Sequence, residues 1–359
     1  MFFFFSHFFF FFKKKQIKFI NNYFIKKKLI KKNKFFFYLN NYFFFKDLFV
    51  SILKSKIYVF VQFFIIKNDI IGKKFLNLLK NKSYECKIII IIDRIGTLFL
   101  DKNLNLLYFN TNKFLLNYRN HKKIVLIDKN LIWLTSSNIG KDYFNLNINV
   151  YNWKDFYFKI KNFYSYCFLL DYFYIKNKFY KLYNKIFLTK NFFLINNLTF
   201  NYISLLLFLV KKFIIIISPY IIIDNFFFKL IKILILKKIK LIIILPKISD
   251  NMYTHISSLI FFKILKLIGV IFFFTKNNFD HRKIYIIDKN LIFFGSMNFD
   301  NRSIYLNFES LFLITNKNFI KIFFKLLFIK FNYNFLKYKK KKIIYKILFI
   351  TSFLNYLNI

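Results

Sequence analysis

The stretch that decides the fold is HRKIYIID at residues 281–288, because a second copy, HKKIVLID, stands at residues 121–128. Both copies follow the pattern H-x-K-x4-D, and both continue with Lys-Asn-Leu-Ile, at residues 129–132 and 289–292. A repeat that preserves polar side chains as well as apolar ones indicates two related structural units. Each unit then contributes an equivalent set of polar groups.

Each copy predicts a strand with a polar end, followed by a turn. Side chains at positions i and i+2 of a strand share a face, so the His and Lys of each motif point the same way. These residues are His121 and Lys123 in the first copy, and His281 and Lys283 in the second. Asp128 and Asp288 begin the Asp-Lys-Asn turn, which favours a structural role. Spacing alone also leaves a direct catalytic part open, and we include both among the candidate catalytic residues.

A second apolar strand is expected after each turn, at residues 131–134 and 291–294. Such a strand returns one hydroxyl and one amide to the neighbourhood of the His and Lys. These groups are Ser136 and Asn138 in the first copy, and Ser296 and Asn298 in the second. If the two halves face each other, one pocket holds two imidazoles, two ammonium groups, two amides and two hydroxyls. Such a pocket suits a phosphodiester anion.

Longer segments around the motifs resemble the phospholipase D superfamily, and within it the bacterial cardiolipin synthases. The matching segments are 119–121 (RNH), 138–140 (NIG), 153–155 (WKD), 218–220 (SPY), Asp224, Pro246, Asp250, 295–303 (GSMNFDNRS) and 306–309 (LNFE). The resemblance runs from about residue 47 to near the C-terminus. One departure is visible, since Thr135 and Ser136 stand where the superfamily's first motif usually has Gly.

The resemblance implies a role for each polar residue. His121 is expected to attack phosphorus, and His281 to protonate the leaving group. Asp155 and Glu309 resemble the superfamily's orienting carboxylates, each expected to hold the imidazole of its own half. The chemistry of the pocket predicts that phosphate oxygens contact two lysines, two asparagines and two serines, namely Lys123, Lys283, Asn138, Asn298, Ser136 and Ser296. No metal ion and no cofactor is expected, because the lysines supply the cations.

The order of strand-like and helical segments predicts an α/β fold. In the first half, strands are expected at residues 57–66, 87–92 and 124–127, with a helix near 73–82. The second half repeats this order. Its strands are expected at residues 213–217, 241–245 and 270–274, and its helices at 225–238 and 251–267. We expect two tandem phospholipase D-like domains, each a mixed β-sheet flanked by helices, forming a pseudo-dimer with the site at the junction.

Three segments are expected along the chain. Residues 1–46 form a basic and aromatic N-terminal extension, residues 47–185 the first domain, and residues 190–359 the second. The extension is the segment in which a membrane span is most expected. Lysines interleaved with Phe and Tyr instead favour peripheral attachment to an anionic membrane surface, at a bacterial-type cell membrane.

Composition limits what the net charge of +45 can indicate. The chain contains 60 Phe and no Ala, which points to an AT-biased coding sequence, so part of this charge reflects mutational drift. Rare residue types become informative in such a chain. Glu309, for example, is one of only two Glu residues and lies inside a matching segment.

Three functions are compatible with the sequence. The favoured one is phosphatidyl transfer between two phosphatidylglycerol molecules, which gives cardiolipin and glycerol through a phosphohistidine. The second is hydrolysis, by a phospholipase D or by a nuclease of the same superfamily. Nucleic acid is the less expected partner, although neutralisation of phosphates is blind to sequence. The third is an inactive lipid-binding protein of the membrane surface, which the Thr135 departure keeps open.

Overall fold

The computed structural model describes residues 34–97, 106–109, 117–128, 130–146, 152–161, 186–189, 192–196, 203–204, 207–275 and 278–329. Two β-sheets stack face to face through a shared apolar core. Helices cover the outer face of each sheet. The first sheet comes from the first half of the chain, and the second sheet from the second half.

The first half contributes a seven-stranded sheet with the order β1-β8-β6-β5-β2-β3-β4. Its strands are β1 (Lys34–Tyr38), β2 (Tyr58–Phe63), β3 (Lys87–Asp93), β4 (Leu106–Phe109), β5 (Ile124–Ile127), β6 (Leu131–Thr135) and β8 (Tyr157–Lys161). Strand β7 (Asn152–Lys154) pairs elsewhere, and the helices are α1 (Asn41–Leu53) and α2 (Ile70–Lys82). Strands β2, β3 and β4 are parallel, and the other pairings are antiparallel, so the sheet is mixed.

The second half contributes an eight-stranded mixed sheet with the order β9-β10-β19-β17-β16-β11-β13-β14. Its strands are β9 (Ile186–Thr189), β10 (Phe192–Asn196), β11 (Phe213–Ile217), β13 (Lys240–Pro246), β14 (Ile271–Thr275), β16 (Ile284–Ile287), β17 (Leu291–Gly295) and β19 (Ser310–Ile314). The shorter strands are β12 (Ile221–Ile222), β15 (Asn278–Asp280) and β18 (Phe299–Asp300). The helical segments are α3 (Asn225–Leu236), α4 (Met252–Leu267), a π-helical turn (Arg302–Leu306) and α5 (Lys317–Ile329).

The two sheets share one topology. Read from the β1 edge, the first sheet runs through the hairpin β6-β5 to the parallel strands β2, β3 and β4. Read from β10, the second sheet runs through the hairpin β17-β16 to the parallel strands β11, β13 and β14. The repeated motif therefore occupies the same place in each sheet, directly before the first strand of the hairpin.

Aliphatic runs and Asx caps explain most of these elements. The parallel strands β3 and β13 read KIIIIID and KLIIILP, which is typical of strands covered on both faces. Each helix that follows a strand starts at a side chain that accepts a backbone N–H. Asp69 caps α2, Asp224 caps α3 and Asn251 caps α4.

The core between the sheets joins the two halves. Phe158 of β8 stacks on Phe294 of β17 with 4.1 Å between ring centroids. Both rings are fully buried, together with Ile217 and Ile286 of the second sheet. Burying one such side chain stabilises the fold by about 1.5–3 kcal/mol. A layer of this kind holds the two halves in one fixed relation.

Sequence patterns predicted these elements well, and the domain limits less well. The expected strands and helices are confirmed, with α2 starting at Ile70 because Asp69 caps it there. The extension predicted over residues 1–46 is wrong for residues 34–46, because β1 pairs with β8 in antiparallel register. Likewise β9 places residues 186–189 in the second sheet, before the limit predicted at 190. Residues 1–33 and 330–359 lie outside the described residues.

In the described part of the chain, no helix combines the length and the apolar character that crossing a bilayer requires.

Asp128 and Asp288 hold the hairpin turns. Both adopt positive φ, 51° and 50°, a conformation that Asp tolerates better than most residues. The Asp288 carboxylate accepts the backbone N–H groups of Lys211, Lys212 and Phe213 at 2.8, 2.8 and 2.9 Å. Asp128 makes equivalent bonds to residues 56–58. Each Asp thus ties its turn to the start of the neighbouring strand.

This placement contradicts a direct catalytic part for Asp128 and Asp288. A strand of four residues separates each Asp from the Lys of its motif. That strand spans roughly 13 Å at about 3.3 Å per residue. The turn interpretation is confirmed, and the inclusion of the two Asp among the catalytic residues is wrong.

Replacing Asp288 should destabilise the fold. Asp288→Ala leaves three backbone donors without their acceptor, so we expect the free energy of unfolding to fall by about 1–3 kcal/mol. Urea titration followed by circular dichroism measures the change. Asp288→Asn keeps an acceptor oxygen and should cost less. Wild-type stability in Asp288→Ala would show that the clamp contributes nothing.

Candidate active site

The His and Lys of each motif lie just before the hairpin strand, since β5 starts at Ile124 and β16 at Ile284. The expectation that they lie within the strand is therefore wrong. Hydrogen bonds nevertheless hold each Lys beside its His. Lys123 Nζ donates to the His121 carbonyl oxygen at 2.7 Å, and Lys283 Nζ donates to the His281 carbonyl oxygen at 2.6 Å.

Backbone pairing between the halves positions both histidines. His281 N donates to the carbonyl oxygen of Lys154 at 2.8 Å, next to the parallel pairing of β15 with β7. In the other half, His121 N donates to the carbonyl oxygen of Phe308 at 3.0 Å. In both places, the residue that accepts the bond directly precedes an acidic residue of the opposite half.

Each histidine consequently meets the carboxylate of the other half. His121 Nδ1 lies 2.9 and 3.1 Å from the two carboxylate oxygens of Glu309. His281 Nδ1 lies 3.0 Å from Asp155 Oδ1. The expectation that each carboxylate holds the imidazole of its own half is wrong. The physical reason is the exchanged backbone pairing, which no local spacing in the sequence reveals.

Burial controls the protonation of the four basic side chains. It lowers the pKa of His121, and lowers that of His281 well below its usual value. It also lowers the pKa of Lys123 to about 7 and that of Lys283 to about 8, and the two ammonium groups repel each other further. Two neutral imidazoles beside two readily deprotonated lysines form a site in which an anion would favour the charged forms.

The two carboxylates differ in their hydrogen bonds. Burial alone would raise the pKa of Glu309, but His121, Lys123 and a hydrogen bond from Ser296 lower it overall. Asn307 Nδ2 donates to Glu309 Oε1 at 3.2 Å as well. Asp155 Oδ2, by contrast, accepts no hydrogen bond of good geometry from the described residues, although the Trp153 side chain lies near enough to this carboxyl to oppose the rise of its pKa. Burial therefore raises the pKa of Asp155 to about 7, so this carboxyl retains a proton part of the time at neutral pH.

The two serines hold the carboxylates. Ser136 Oγ donates to Asp155 Oδ1, and Ser296 forms a hydrogen bond with Glu309. Ser296 Oγ also accepts the Ser310 backbone N–H at 3.0 Å. These bonds give Ser136 and Ser296 a role different from the substrate contact predicted for them.

Thr135 occupies the place that Gly295 has in the second half. A Cβ at Gly295 would lie 2.0 Å from the Ser310 carbonyl oxygen, so that position needs glycine. In the first half Thr135 is buried, and its Oγ1 accepts the backbone N–H of Ser137 at 3.0 Å. The fold therefore accommodates the departure from the superfamily pattern.

The two asparagines are also unequal. Asn138 Oδ1 accepts the Ile65 backbone N–H at 3.2 Å, and Nδ2 donates to Tyr143 Oη at 3.3 Å. This amide holds the loop that follows β2. Asn298 hydrogen bonds to Asp300, while its Oδ1 is buried and makes no bond to the described residues. Contact of either amide with a substrate stays a prediction.

Aromatic rings fix the faces of both imidazoles. Trp153 packs edge-on against His281 with 5.1 Å between ring centroids, and Phe64 packs against His121 at the same distance. Trp153 lies within a segment that the resemblance had marked. Phe64 carried no signal, because it is one of 60 Phe residues in the chain.

Among the residues that the structure describes, no three His, Cys, Asp or Glu side chains gather in a way that could hold a metal ion.

The exchanged pairing predicts which histidine responds to each carboxylate. Glu309→Gln should lower the pKa of His121, because the Glu309 charge raises it, and should leave His281 nearly unchanged. Asp155→Asn should instead move the Nδ1 resonance of His281. Long-range ¹H–¹⁵N NMR spectra of the imidazoles across pH measure both effects. A shift of His281 in Glu309→Gln would contradict the exchange.

A known protein family matches the second half of the chain. Residues 209–327 match the family model described as cardiolipin synthase, PLD-like domain. A cardiolipin synthase of Clostridium perfringens (strain SM101) is 32% identical over 133 residues, which cover 32% of this chain and 27% of that protein. Cardiolipin synthase A of Pseudomonas putida (strain W619) is 33% identical over 128 residues, with the same coverage. The matched region thus spans about a quarter of these relatives.

Similarity to solved structures extends over both halves. Phosphatidylserine synthase of Haemophilus influenzae Rd KW20 superposes with a TM-score of 0.63 at 14% identity, covering 80% of this chain and 83% of that one. Polyphosphate kinase of Porphyromonas gingivalis superposes with a TM-score of 0.56 at 10% identity, covering 89% and 56%. These two likenesses concern the fold. Residues 209–327 are thus similar to a family of phospholipase D-like domains, and most of the chain shares the fold of these two structures.

Proposed function

We propose that this chain is a phosphatidyltransferase of the cardiolipin synthase type. It would transfer a phosphatidyl group from one phosphatidylglycerol molecule to another through a phosphohistidine, giving cardiolipin and glycerol. The observation that carries the proposal is the meeting of two buried His-Lys pairs, each with a carboxylate from the opposite half. The similarity of residues 209–327 to cardiolipin synthases supports this choice of substrate.

We further infer that the two halves are tandem phospholipase D-like domains arranged as a pseudo-dimer. Seven strands of each sheet share the same order, and the two motifs occupy equivalent places in that order. The backbone hydrogen bonds from His281 to Lys154 and from His121 to Phe308 are reciprocal, because each joins a motif to the opposite half. A two-fold arrangement would produce this pattern. The site then requires both halves.

His121 is the better placed nucleophile. Its Nδ1 faces the ionised Glu309, which fixes the tautomer that donates from Nδ1 and leaves the lone pair on Nε2. His281 Nε2 instead lies 2.7 Å from Lys283 Nζ and is already engaged. In the first step His121 Nε2 attacks phosphorus, and the bond from phosphorus to the leaving glycerol oxygen breaks.

The His281 side supplies the proton for that leaving oxygen. Lys283 and Asp155 lie on either nitrogen of His281. Their pKa values of about 8 and about 7 mean that both groups hold protons near neutral pH. A bound phosphodiester draws the two ammonium groups to its oxygens and stabilises the imidazolium form of His281. Protonated His281 then acts as the general acid.

The acceptor decides which product follows. If a second phosphatidylglycerol supplies the hydroxyl, the product is cardiolipin. If water supplies it, the product is phosphatidic acid, and the protein is a phospholipase D. An inactive lipid-binding protein is the third alternative, which the intact set of two His, two Lys and two carboxylates disfavours.

Peripheral binding to an anionic bacterial-type cell membrane is part of the proposal. A net charge of +45 attracts such a surface more readily than a neutral one. Two contacts link the start of α1 to the site, because Asn41 donates to the Tyr143 carbonyl oxygen and Tyr143 packs on Trp153. Tyr42 and Phe43, in that first turn, are 58% and 60% exposed.

The decisive experiment is lipid product analysis. Purified protein incubated with phosphatidylglycerol vesicles should yield cardiolipin and free glycerol, resolved by thin-layer chromatography. EDTA should leave the rate unchanged, because Lys123 and Lys283 supply the positive charge of the pocket. Addition of catalytically inactive His121→Ala protein serves as the control for contaminating activity.

Other products would contradict the proposal in distinct ways. Phosphatidic acid without cardiolipin would indicate hydrolysis. No conversion of lipid at all would indicate the inactive alternative. Loss of activity in EDTA that Mg²⁺ or Zn²⁺ restores would overturn the metal-free mechanism.

Covalent trapping should separate the two histidines. His281→Ala should still accumulate labelled phosphatidyl-enzyme slowly, because general acid assistance contributes about 10²–10⁴-fold. His121→Ala should accumulate none, because it lacks the nucleophile. Each variant is incubated with phosphatidylglycerol labelled with ³²P, the reaction is quenched in alkaline detergent, and the label bound to protein is measured. Reversed labelling would exchange the two roles.

A further inference from the structure

A second cationic feature lies beside the pocket, where the two halves meet. Arg302 begins the π-helical turn of the second half and donates from Nη2 to the Asn117 carbonyl oxygen of the first half at 3.3 Å. Arg119 accepts the Phe308 backbone N–H at its carbonyl oxygen, at 2.8 Å. Both arginines therefore lie at the junction where Glu309 meets His121.

Arg119 lies close to the groups that would hold phosphorus. Its guanidinium carbon is 5.3 Å from the centroid of the Phe64 ring. Lys123 Nζ is 5.6 Å from that centroid, and the His121 ring centroid is 5.1 Å from it. The guanidinium and the ammonium thus contact the same aromatic ring, and their separation cannot exceed the sum of the first two distances.

The two arginines differ in how their charge is balanced. Arg119 donates to Asp93 from Nε and Nη2, and its side chain is 13% exposed. Arg302 is exposed, and its described hydrogen bond goes to an uncharged carbonyl. Burial of part of its side chain and the nearby Arg119 charge lower the pKa of Arg302, while the charges of Asp300 and Asp93 oppose this effect. Arg119 is thus paired directly with Asp93, whereas the described hydrogen bond of Arg302 leaves its guanidinium without a direct carboxylate partner.

A guanidinium with this environment suits a phosphate. Arg carries five N–H donors in a planar fork, and its bonds to phosphate oxygens are short and charge-assisted. An anion between Arg302 and the pocket would also relieve the repulsion between the two guanidinium groups. Two phosphates therefore have places here, one at the His-Lys pairs and one at the arginines.

We propose that Arg302, with Arg119 behind it, binds the phosphate of the acceptor phosphatidylglycerol and so favours transfer over hydrolysis. This inference rests on the proposed function. In the product the two phosphates are joined by one glycerol, through three carbons and two ester oxygens. The acceptor phosphate must therefore lie one glycerol length from the phosphorus on His121, and the shared contact with Phe64 keeps Arg119 near Lys123, which would hold that phosphoryl group.

Arg302 assists the second step of the transfer. The free primary hydroxyl of the acceptor's glycerol attacks phosphorus on His121 Nε2, forming a new P–O bond. The P–N bond breaks, and its electron pair returns to Nε2. The hydroxyl proton passes to neutral His281, which gave up its proton in the first step. Binding the acceptor phosphate places this hydroxyl at phosphorus ahead of water.

Competition between two acceptors tests the proposal. The full chain is given phosphatidylglycerol vesicles with ethanol, so that each phosphatidyl-enzyme partitions between cardiolipin, phosphatidylethanol and phosphatidic acid. Ethanol lacks a phosphate and makes no use of Arg302. In Arg302→Gln we expect the ratio of cardiolipin to phosphatidylethanol to fall about tenfold to a hundredfold, as for the loss of a hydrogen bond to a charged group.

Two further variants control for charge and folding. Lys237→Gln removes one positive charge at the far end of α3 and should keep the wild-type ratio. Arg302→Lys keeps the charge but not the planar fork, so its ratio should lie between wild type and Arg302→Gln. Circular dichroism confirms that each variant is folded.

The outcomes separate the inference from the function on which it rests. A wild-type ratio in Arg302→Gln would overturn the acceptor site alone. Equal loss of cardiolipin and phosphatidylethanol in folded Arg302→Gln and Arg302→Lys would also overturn it, since a structural role affects both acceptors. A wild-type enzyme that makes phosphatidylethanol but no cardiolipin would overturn the proposed function, and the acceptor site with it.

Discussion

The structure depends on the exchange of carboxylates between the halves. Two histidines and two lysines are buried at the junction, and burial of charge without partners would cost several kcal/mol for each group. Glu309 and Asp155 supply the opposite charge, each from the half that does not carry its histidine. Neither half alone could therefore satisfy its own motif. This requirement, together with the apolar layer between the sheets, explains why the halves meet in one fixed orientation.

An almost symmetrical scaffold carries an asymmetrical distribution of protons. The sheets share one strand order, yet Glu309 accepts bonds at both oxygens while Asp155 leaves one oxygen unpaired among the described residues. Burial raises the pKa of Asp155 to about 7, whereas at Glu309 the charge of His121 and the other partners outweigh burial and lower the pKa, which is a clear asymmetry between the halves. Lys283 adds to it by contacting the imidazole of His281. The two histidines thus have different hydrogen-bond partners, and the different roles proposed for them depend on this difference.

The sequence predicted what depends on local pattern. Aliphatic runs located the strands, and the repeated motif located His121, Lys123, His281 and Lys283. Pairings between distant segments were not predictable, because register across the junction is decided by packing rather than by spacing. The carboxylates were therefore assigned to the wrong histidines, and the hydrogen bonds of Ser136 and Ser296 to those carboxylates were missed. Phe64 was missed because one Phe among 60 carries no pattern, and the edge strand Lys34–Tyr38 because its composition matches the preceding extension.

The unusual composition of the chain shows which positions tolerate drift. An apolar core accepts many hydrophobic residues of suitable volume, so strands such as KIIIIID and KLIIILP can consist almost wholly of Ile and Leu. A buried polar junction has no such freedom, because each donor needs an acceptor at a fixed distance. A chain with two Glu and five Gly nevertheless keeps Glu309 against His121, and keeps Gly295 where a Cβ would meet a carbonyl oxygen. These residues are kept despite the biased composition, because their neighbours allow no other residue type. For this reason the residues of the junction can still be recognised in so simple a sequence.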